Sequence, residues 1–479
     1  MEKGNKKIIR GWVFYDWANS VYNLVISSAI FPIFYSNVTE KKYLSNPDRL
    51  QYLSESLKEK GIDYDVANVG NELLEINNQG TDFKEQVLVD FFGFMIESQV
   101  LISFILSASF LCVAFLSPLL SGVADFTGNK KRFMQFFCYL GALSCISLSI
   151  FQTHVGLGLI AVFFASIGFW NSLVFYNSYL PEIAEAKDHD KISARGFSMG
   201  YFGSMLLLII CLYFTMASDV TNGLYLPQIE SFWKPYYSFI LVGLWWIGFS
   251  QLTYRVLPNN IYKVKKEKGY IWKGFQELRK VFTEFKKTKR LKRYLLAFFF
   301  FNTGVQTVML MAVYFAKSEI NWKEGAGDTG LIVSILLIQI LGAAGAFLMS
   351  RLSGKIGNLN TLMITVSMWV LLCVCAYFIS EPVEFYGLAC GVGLVMGGVQ
   401  AIARSTYSKF LPETQDHASY FSFYDATEKV GIVLGTFFYG LMFALTGDLK
   451  ASILSITFFF AVGLVLLFVV PRKETHKTV

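Results

Sequence analysis

Leu331-Ile-Val-Ser-Ile-Leu-Leu-Ile-Gln-Ile-Leu-Gly-Ala-Ala-Gly-Ala-Phe-Leu-Met-Ser350 is a run of 20 residues without a charged side chain, and Ser452 to Val470 is a second such run. A helix rises 1.5 Å per residue, so about 20 apolar residues cross the hydrocarbon core of a bilayer. Reading outward from these two runs gives further spans near 11–36, 97–121, 134–152, 155–180, 196–216, 235–256, 294–316, 360–380, 385–408 and 418–446. With 330–351 and 450–471 the expectation is an all-α membrane protein of twelve transmembrane helices. The composition agrees. Of 479 residues 54% are hydrophobic and only 16% charged, where soluble domains carry about 25% charged residues.

Several function classes drop out. Cys112, Cys138, Cys145, Cys211, Cys373, Cys375 and Cys390 all lie in apolar runs, which argues against a disulfide framework. His154, His189, His417 and His476 fall at expected loops or in the tail, leaving no axial haem ligand or histidine metal cluster within the membrane. No G-x-x-x-x-G-K-[ST] stretch occurs, so ATP-driven pumping lacks its nucleotide loop. The first apolar run contains Asp16 and no small-residue cleavage site; it reads as an uncleaved helix, not a signal peptide. No Ser-His, His-E-x-x-His or paired-Asp arrangement at helical spacing suggests an intramembrane enzyme, and no cofactor or nucleic-acid partner is expected.

Lysines and arginines gather in alternate short segments: Lys3, Lys6, Lys7 and Arg10; Lys130, Lys131 and Arg132; Lys187, Lys191 and Arg195; Arg351 and Lys355; Arg472, Lys473 and Lys477. Cytoplasmic loops retain positive charge, so both termini are expected in the cytoplasm. The insert from Asn37 to Met95, with eleven acids against six bases, then lies outside. Pro258 to Arg293 holds thirteen basic residues and three Glu. Within it Ile271, Phe275, Leu278, Phe282 and Phe285 recur at helical spacing, which reads as an amphipathic helix suited to an anionic leaflet. This segment, 258–293, divides an N-terminal six-helix half, 1–257, from a C-terminal half, 294–479.

The halves look like copies. Leu180-Pro181-Glu182 returns as Leu411-Pro412-Glu413 after 231 positions, and Gly128-Asn129 returns as Gly357-Asn358 after 229. Parallel six-helix repeats are how major facilitator transporters are built. The loop Gly122-Val-Ala-Asp125-Phe-Thr-Gly128-Asn-Lys130-Lys131-Arg132 resembles the signature of that superfamily. Gly122 permits close helix approach, Asp125 can accept backbone N–H groups at a helix start or pair with a cation across the halves, and Gly128 allows a sharp turn. These residues, with Lys130 and Arg132, are the candidate gate. The second copy has Arg351 and Gly354 in place of Gly122 and Asp125, so the gate is expected to be asymmetric.

Ionisable groups at membrane depth are expensive and mark function. Asp16, Asn19, Ser20 and Asn23 follow at i, i+3, i+4 and i+7, a polar stripe that must face a cavity; the alternative is that Asp16 only caps the helix entry. Asn302, Thr303, Gln306 and Thr307 form a similar patch in the seventh span, and Gln400 and Arg404 stand one turn apart in the tenth. Asp425, Glu428 and Lys429 lie at i, i+3 and i+4, where Asp425 and Lys429 can pair within one helix, as a structural bridge or as a coupling site. Tyr15, Trp17, Tyr22, Trp245 and Trp246 are candidates to line a pocket.

At Tyr15-Asp16-Trp17-Ala18-Asn19-Ser20 the chain resembles the vacuole-effluxer family of the major facilitator superfamily, fungal and bacterial proteins implicated in amino-acid efflux. The likeness covers nearly the whole length and continues at Ser193-Ala-Arg195-Gly196, Gly200-Tyr201, Trp245-Trp246, Gly304-Val-Gln306-Thr307, Gln400, Arg404-Ser405 and Phe423-Tyr424. It implies a monomeric secondary transporter of the cytoplasmic membrane, or of the vacuolar membrane in a fungus, moving amino acids by alternating access with possible proton or sodium coupling. Thr303 stands where many relatives are expected to carry an acid, which argues against a coupling role there. The alternatives are a cation-coupled sugar symporter and a transporter-derived sensor or lipid-handling protein. Asn19, Asn23, Asn302, Gln306 and Gln400 are the expected solute contacts, with Asp16 and Arg404 as charge anchors nearer the cytoplasmic mouth.

Overall fold

The computed structural model describes residues 3–44, 87–219, 234–259, 270–322 and 327–472. Most of the acidic insert, 45–86, lies outside the described residues, as does 260–269 of the basic linker.

The chain enters the membrane as α1 (Lys6–Val21), whose first turn is capped by the Asn5 side chain accepting from Lys7 and Ile8 N–H. Eight residues with π-helical bonding, Tyr22–Ala29, lead into α2 (Ile30–Leu44). The expected first span is thus one continuous helical segment, Lys6–Tyr43, with a π-helical middle, and π segments of this kind often sit at functional sites. A hairpin, β1 (Leu88–Phe91) paired antiparallel with β2 (Phe94–Glu97), ends the insert. The N-terminal half continues with α3 (Ser98–Thr127), α4 (Lys130–Ser147), α5 (Val155–Ser178), α6 (His189–Asp219) and α7 (Tyr236–Val256). The linker helix α8 (Tyr270–Lys287) precedes α9 (Lys289–Glu319), α10 (Gly327–Ile356), α11 (Asn358–Phe378), α12 (Pro382–Phe410), α13 (His417–Thr446) and α14 (Leu449–Phe468).

Eleven helical segments among the described residues are long and apolar enough to span a membrane. The expected span 235–256 is present as α7 but is absent from that set; its tyrosines, Ser250, Gln251 and Arg255 dilute its apolar character. Exposed Phe115, Phe378, Val465 and Phe468 give the bundle an apolar outer surface, as lipid contact requires.

Buried side chains form two large clusters, one built almost wholly from α1–α7 and one from α8–α14. The halves meet where α3 packs on α13, and α6 on α10 and α12. The linker helix does not simply present its apolar face outward. Val281 is fully buried, whereas Phe275 and Phe282 are exposed with Trp272. Gly274 backs onto Gly122 of α3 so closely that a Cβ on either would strike the other helix. Gly122 thus serves a close helix approach, and its partner is the linker.

Candidate solute site and gate

A cavity of about 1000 Å³ lies between the halves. Its walls run from Asn37, Gln99, Lys317 and Phe385 at one face down to Asp16 and Arg404. The face carrying the start of α1 and the end of α14 is closed beneath that floor.

The floor is built from residues far apart in sequence. Arg404 Nη1 and Nη2 of α12 each lie 3.4 Å from Asp16 Oδ2 of α1, and both residues are buried. Charge-assisted bonds are typically about 2.7–2.9 Å, so this inter-half bridge is loosely made. The Tyr176 hydroxyl donates to the same Asp16 oxygen at 2.8 Å. Arg404 is further held by the Ser193 hydroxyl at 3.0 Å, the Ser193 carbonyl at 2.9 Å and Asn177 at 3.1 Å, and it lies over the Phe197 ring. Gly196 makes the crossing possible, because a Cβ there would stand 2.5 Å from Asp16 Oδ2 and 3.0 Å from Arg404 Nη2. Asp16 and Arg404 were expected as charge anchors for the solute. They are joined to each other, since an unpaired charge buried at this depth costs several kcal/mol.

Asn19, Ser20, Asn23, Asn302, Gln306 and Gln400 all line the cavity. The Nδ2 groups of Asn19 and Asn302, one from each half, are buried without a hydrogen-bond partner among the described residues. Gln400 accepts from Tyr201 at 2.8 Å, and Gln306 donates to Glu428 at 2.8 Å. The seventh-span patch divides: Thr303 and Thr307 turn away from the cavity toward Gly431 and Gly435 of α13. Among the expected aromatics only Tyr22 faces the cavity; Trp17 and Trp245 stack on each other, and Tyr15 and Trp246 are buried in the N-terminal core. Asp425 lies 3.1 Å and Glu428 3.6 Å from Lys429 Nζ.

Beneath the floor, Asp125 caps the head of α13. Its carboxylate accepts from Ser419 N–H at 2.7 Å, Ser419 hydroxyl at 2.8 Å and Ala418 N–H at 3.2 Å, where the helix dipole also favours an anion. Gly128 closes α3 at φ 66°, and Lys130 bridges Asp125 and Glu182. Glu182 also meets His417 Nδ1 at 3.1 Å. Arg132 departs from expectation: it is exposed, because it falls on the outer side of α4, opposite the turn that directs Lys130 inward.

The second half closes differently, with residues the sequence did not single out. Asp190, at the head of α6, accepts from Ser353 at 2.8 Å, Asn358 at 2.7 Å and Lys409 at 2.6 Å. The repeat offset of 229 places Asp190 opposite Ser419 and Asp125 opposite Gly354. That offset was the available signal. His189 and His417 are likewise buried first residues of α6 and α13, not loop residues.

A sequence profile described as "Vacuole effluxer Atg22 like" matches residues 4–479. An uncharacterized MFS-type transporter of Bacillus subtilis, YxiO, is 27% identical across 99% of this chain and 97% of its own length. Autophagy-related protein 22-1 of Aspergillus fumigatus is 22% identical across 98% of this chain and 91% of its own. The crystal structure of the human organic anion transporter MFSD10 shares the fold, with a TM-score of 0.66 at 10% identity over 97% of this chain and all of the other. A profile match along the entire described bundle, a major facilitator fold and a cavity between its two halves agree, and the chain belongs to the Atg22-like vacuole effluxer family of MFS-type transporters.

Proposed function

We propose that the protein carries a small zwitterionic solute of the amino-acid class by alternating access, with Asp16 and Arg404 receiving its two charges. The observation that supports this most is the pair itself, a carboxylate and a guanidinium from opposite halves meeting at 3.4 Å on the cavity floor. A zwitterion above it turns its carboxylate to Arg404 and its ammonium to Asp16. One loose inter-half bridge is thereby exchanged for two solute contacts, and the floor is released only when solute is present to keep both charges paired. The unpartnered amides of Asn19 and Asn302 suit the same ligand, because a buried donor left unsatisfied costs about 1–3 kcal/mol. Asn23, Gln306 and Gln400 complete the polar walls.

The proposal sets both termini in the cytoplasm, so that the cavity opens outward from the cytoplasmic membrane, or from the equivalent vacuolar face in a fungus, with each monomer a complete transport unit. Amide-rich walls also suit hydroxylated solutes, which keeps a sugar symporter as the second reading; Arg404 would then be a strut only. Proteoliposome counterflow with a mixed amino-acid and sugar panel separates the two. Exchange of amino acids but not sugars is expected, and exchange of sugars alone overturns the proposal.

A further inference from the structure

We infer that Asp425 is a proton-carrying site which couples this transporter to a proton gradient, with Glu428 as its doorway from the cavity and Lys429 as its fixed counter-charge. The inference rests on the transporter reading but not on which solute is carried.

The first observation is a charge count. Lys429 is fully buried on α13, 3.1 Å from Asp425 and 3.6 Å from Glu428. Two carboxylates and one ammonium leave a net charge of −1 at membrane depth, where an uncompensated charge is costly. No cation from a neighbouring helix cancels it. Residues 98–124 of α3, 155–178 of α5, 294–316 of α9 and 451–468 of α14 contain no Asp, Glu, Lys or Arg. The groups that face the triad from these elements are neutral: Ser117 from α3 beside Asp425, Trp170 from α5 with its ring 3.4 Å from Lys429 Nζ, and Gln306 from α9 donating to Glu428. On α13 itself Tyr424 lies near Glu428; Arg404 also acts on Tyr424 but is already paired with Asp16. The charged linker residues Glu277 and Lys280 act on Asp416, at the far end of the helix. One proton makes the triad neutral.

The second observation locates that proton. Asp425 Oδ2 is buried without a hydrogen-bond partner among the described residues, and so is the hydroxyl oxygen of Ser117, which is fully buried. A carboxylate oxygen in that position is costly to leave bare, and protonating Asp425 removes the charge from the one triad carboxylate that has an oxygen buried without a partner among the described residues. Glu428 accepts from Gln306 and lines the cavity, so a proton arriving from the open face meets it one helical turn before Asp425. A metal cation fits less well. The Lys429 ammonium already occupies the space between the two carboxylates and repels a second positive charge there.

The step is a proton transfer alone. Water in the cavity gives H⁺ to Glu428, Glu428 passes it to Asp425, and the ammonium of Lys429 keeps its proton throughout. The triad moves from −1 to neutral and back. Because Trp170 and Ser117 belong to the N-terminal half and the triad to the C-terminal half, the site straddles the interface that must rearrange during transport.

The test is a pH jump without solute. Proteoliposomes on a solid-supported membrane, in sodium-free potassium buffer, should show a transient charge displacement when the outer solution is acidified. Asp425→Asn should abolish it, and Glu428→Gln should slow it by tenfold or more while keeping the total charge. Size-exclusion profile and melting temperature confirm that each variant is folded. No displacement in the wild type, an undiminished displacement in folded Asp425→Asn, or a displacement that follows sodium jumps and not pH jumps would each overturn the inference. Counterflow at equal pH, which needs no gradient, reports separately on the amino-acid reading.

Discussion

Asp190 and Ser419, at the heads of α6 and α13, occupy matching places in the two repeats with their chemical roles exchanged. Ser419 gives its backbone and hydroxyl donors to Asp125 of the other half, while Asp190 takes donors from Ser353 and Asn358 of the other half. Each closure joins an acid to a hydroxyl across the interface, but the acid sits before a helix turn in one and on a helix head in the other. We propose that these two contacts act as latches on the closed face, each released by a different single substitution.

Asp125→Asn should weaken the first latch. An amide accepts less strongly from the α13 N–H groups than a carboxylate at a helix start, and Lys130 loses one of its two anions. Ala418→Cys, buried in the closed state, then reports opening. Its labelling rate should rise at least tenfold in Asp125→Asn, and an unchanged rate would make Asp125 a structural cap of α13 with no part in opening.

Asp190→Asn should act on the second latch and on stability together. Lys409 is left without its carboxylate in a largely buried place, which costs about 3 kcal/mol. A melting temperature lowered by several degrees, with partial recovery on adding Lys409→Met, is the expected result. No change in either variant would contradict the assignment.

Much of this was legible in the chain because polar residues at membrane depth are rare. The stripe Asp16, Asn19, Ser20 and Asn23 announced a cavity wall, and Asp125 to Lys130 announced the contact that joins α3 to the head of α13. What stayed hidden was pairing. Nothing local says that Arg404 meets Asp16, since the contact exists only once two six-helix halves dock. Nothing local singled out Asp190, and only the 229-residue offset, which sets it opposite Ser419, marks its place. The π-helical stretch Tyr22–Ala29 has no sequence signal that we can identify. Trp17 and Trp245 misled because aromatic residues pack between helices far more often than they line sites.

The closed face should respond to pH through Asp416. Partial burial, with Asp125 and Glu277 nearby, raises its carboxyl to about 7 against a partial offset from Lys280. An acid raised in the closed form holds a proton there that the open form lacks, so its support for closure is full at pH below about 4 and is lost as pH rises through 7. Labelling of Ala418→Cys, corrected by an exposed Gln415→Cys control, should therefore accelerate as pH rises from about 4 to 7 and level off above it. Asp416→Asn should flatten that dependence; a profile identical to wild type would contradict it.

The orientation is open to direct labelling. In a cysteine-free background, Phe94→Cys on the exposed hairpin should react with an impermeant thiol reagent added to intact cells. Lys287→Cys on α8, also exposed, should react only after permeabilisation. The reverse pattern would invert the topology.

The central claim is that the Asp16–Arg404 bridge is the receptor for a zwitterion, and affinity in Arg404→Gln measures it most directly. Each charge-assisted contact contributes about 1.5–3 kcal/mol, so the Kd for the best amino acid of the counterflow panel should rise by about tenfold or more, while the affinity of any uncharged sugar that binds stays within about twofold. An equal loss for charged and neutral solutes, or no loss for either, would show Arg404 to be a strut between the halves and would contradict the account.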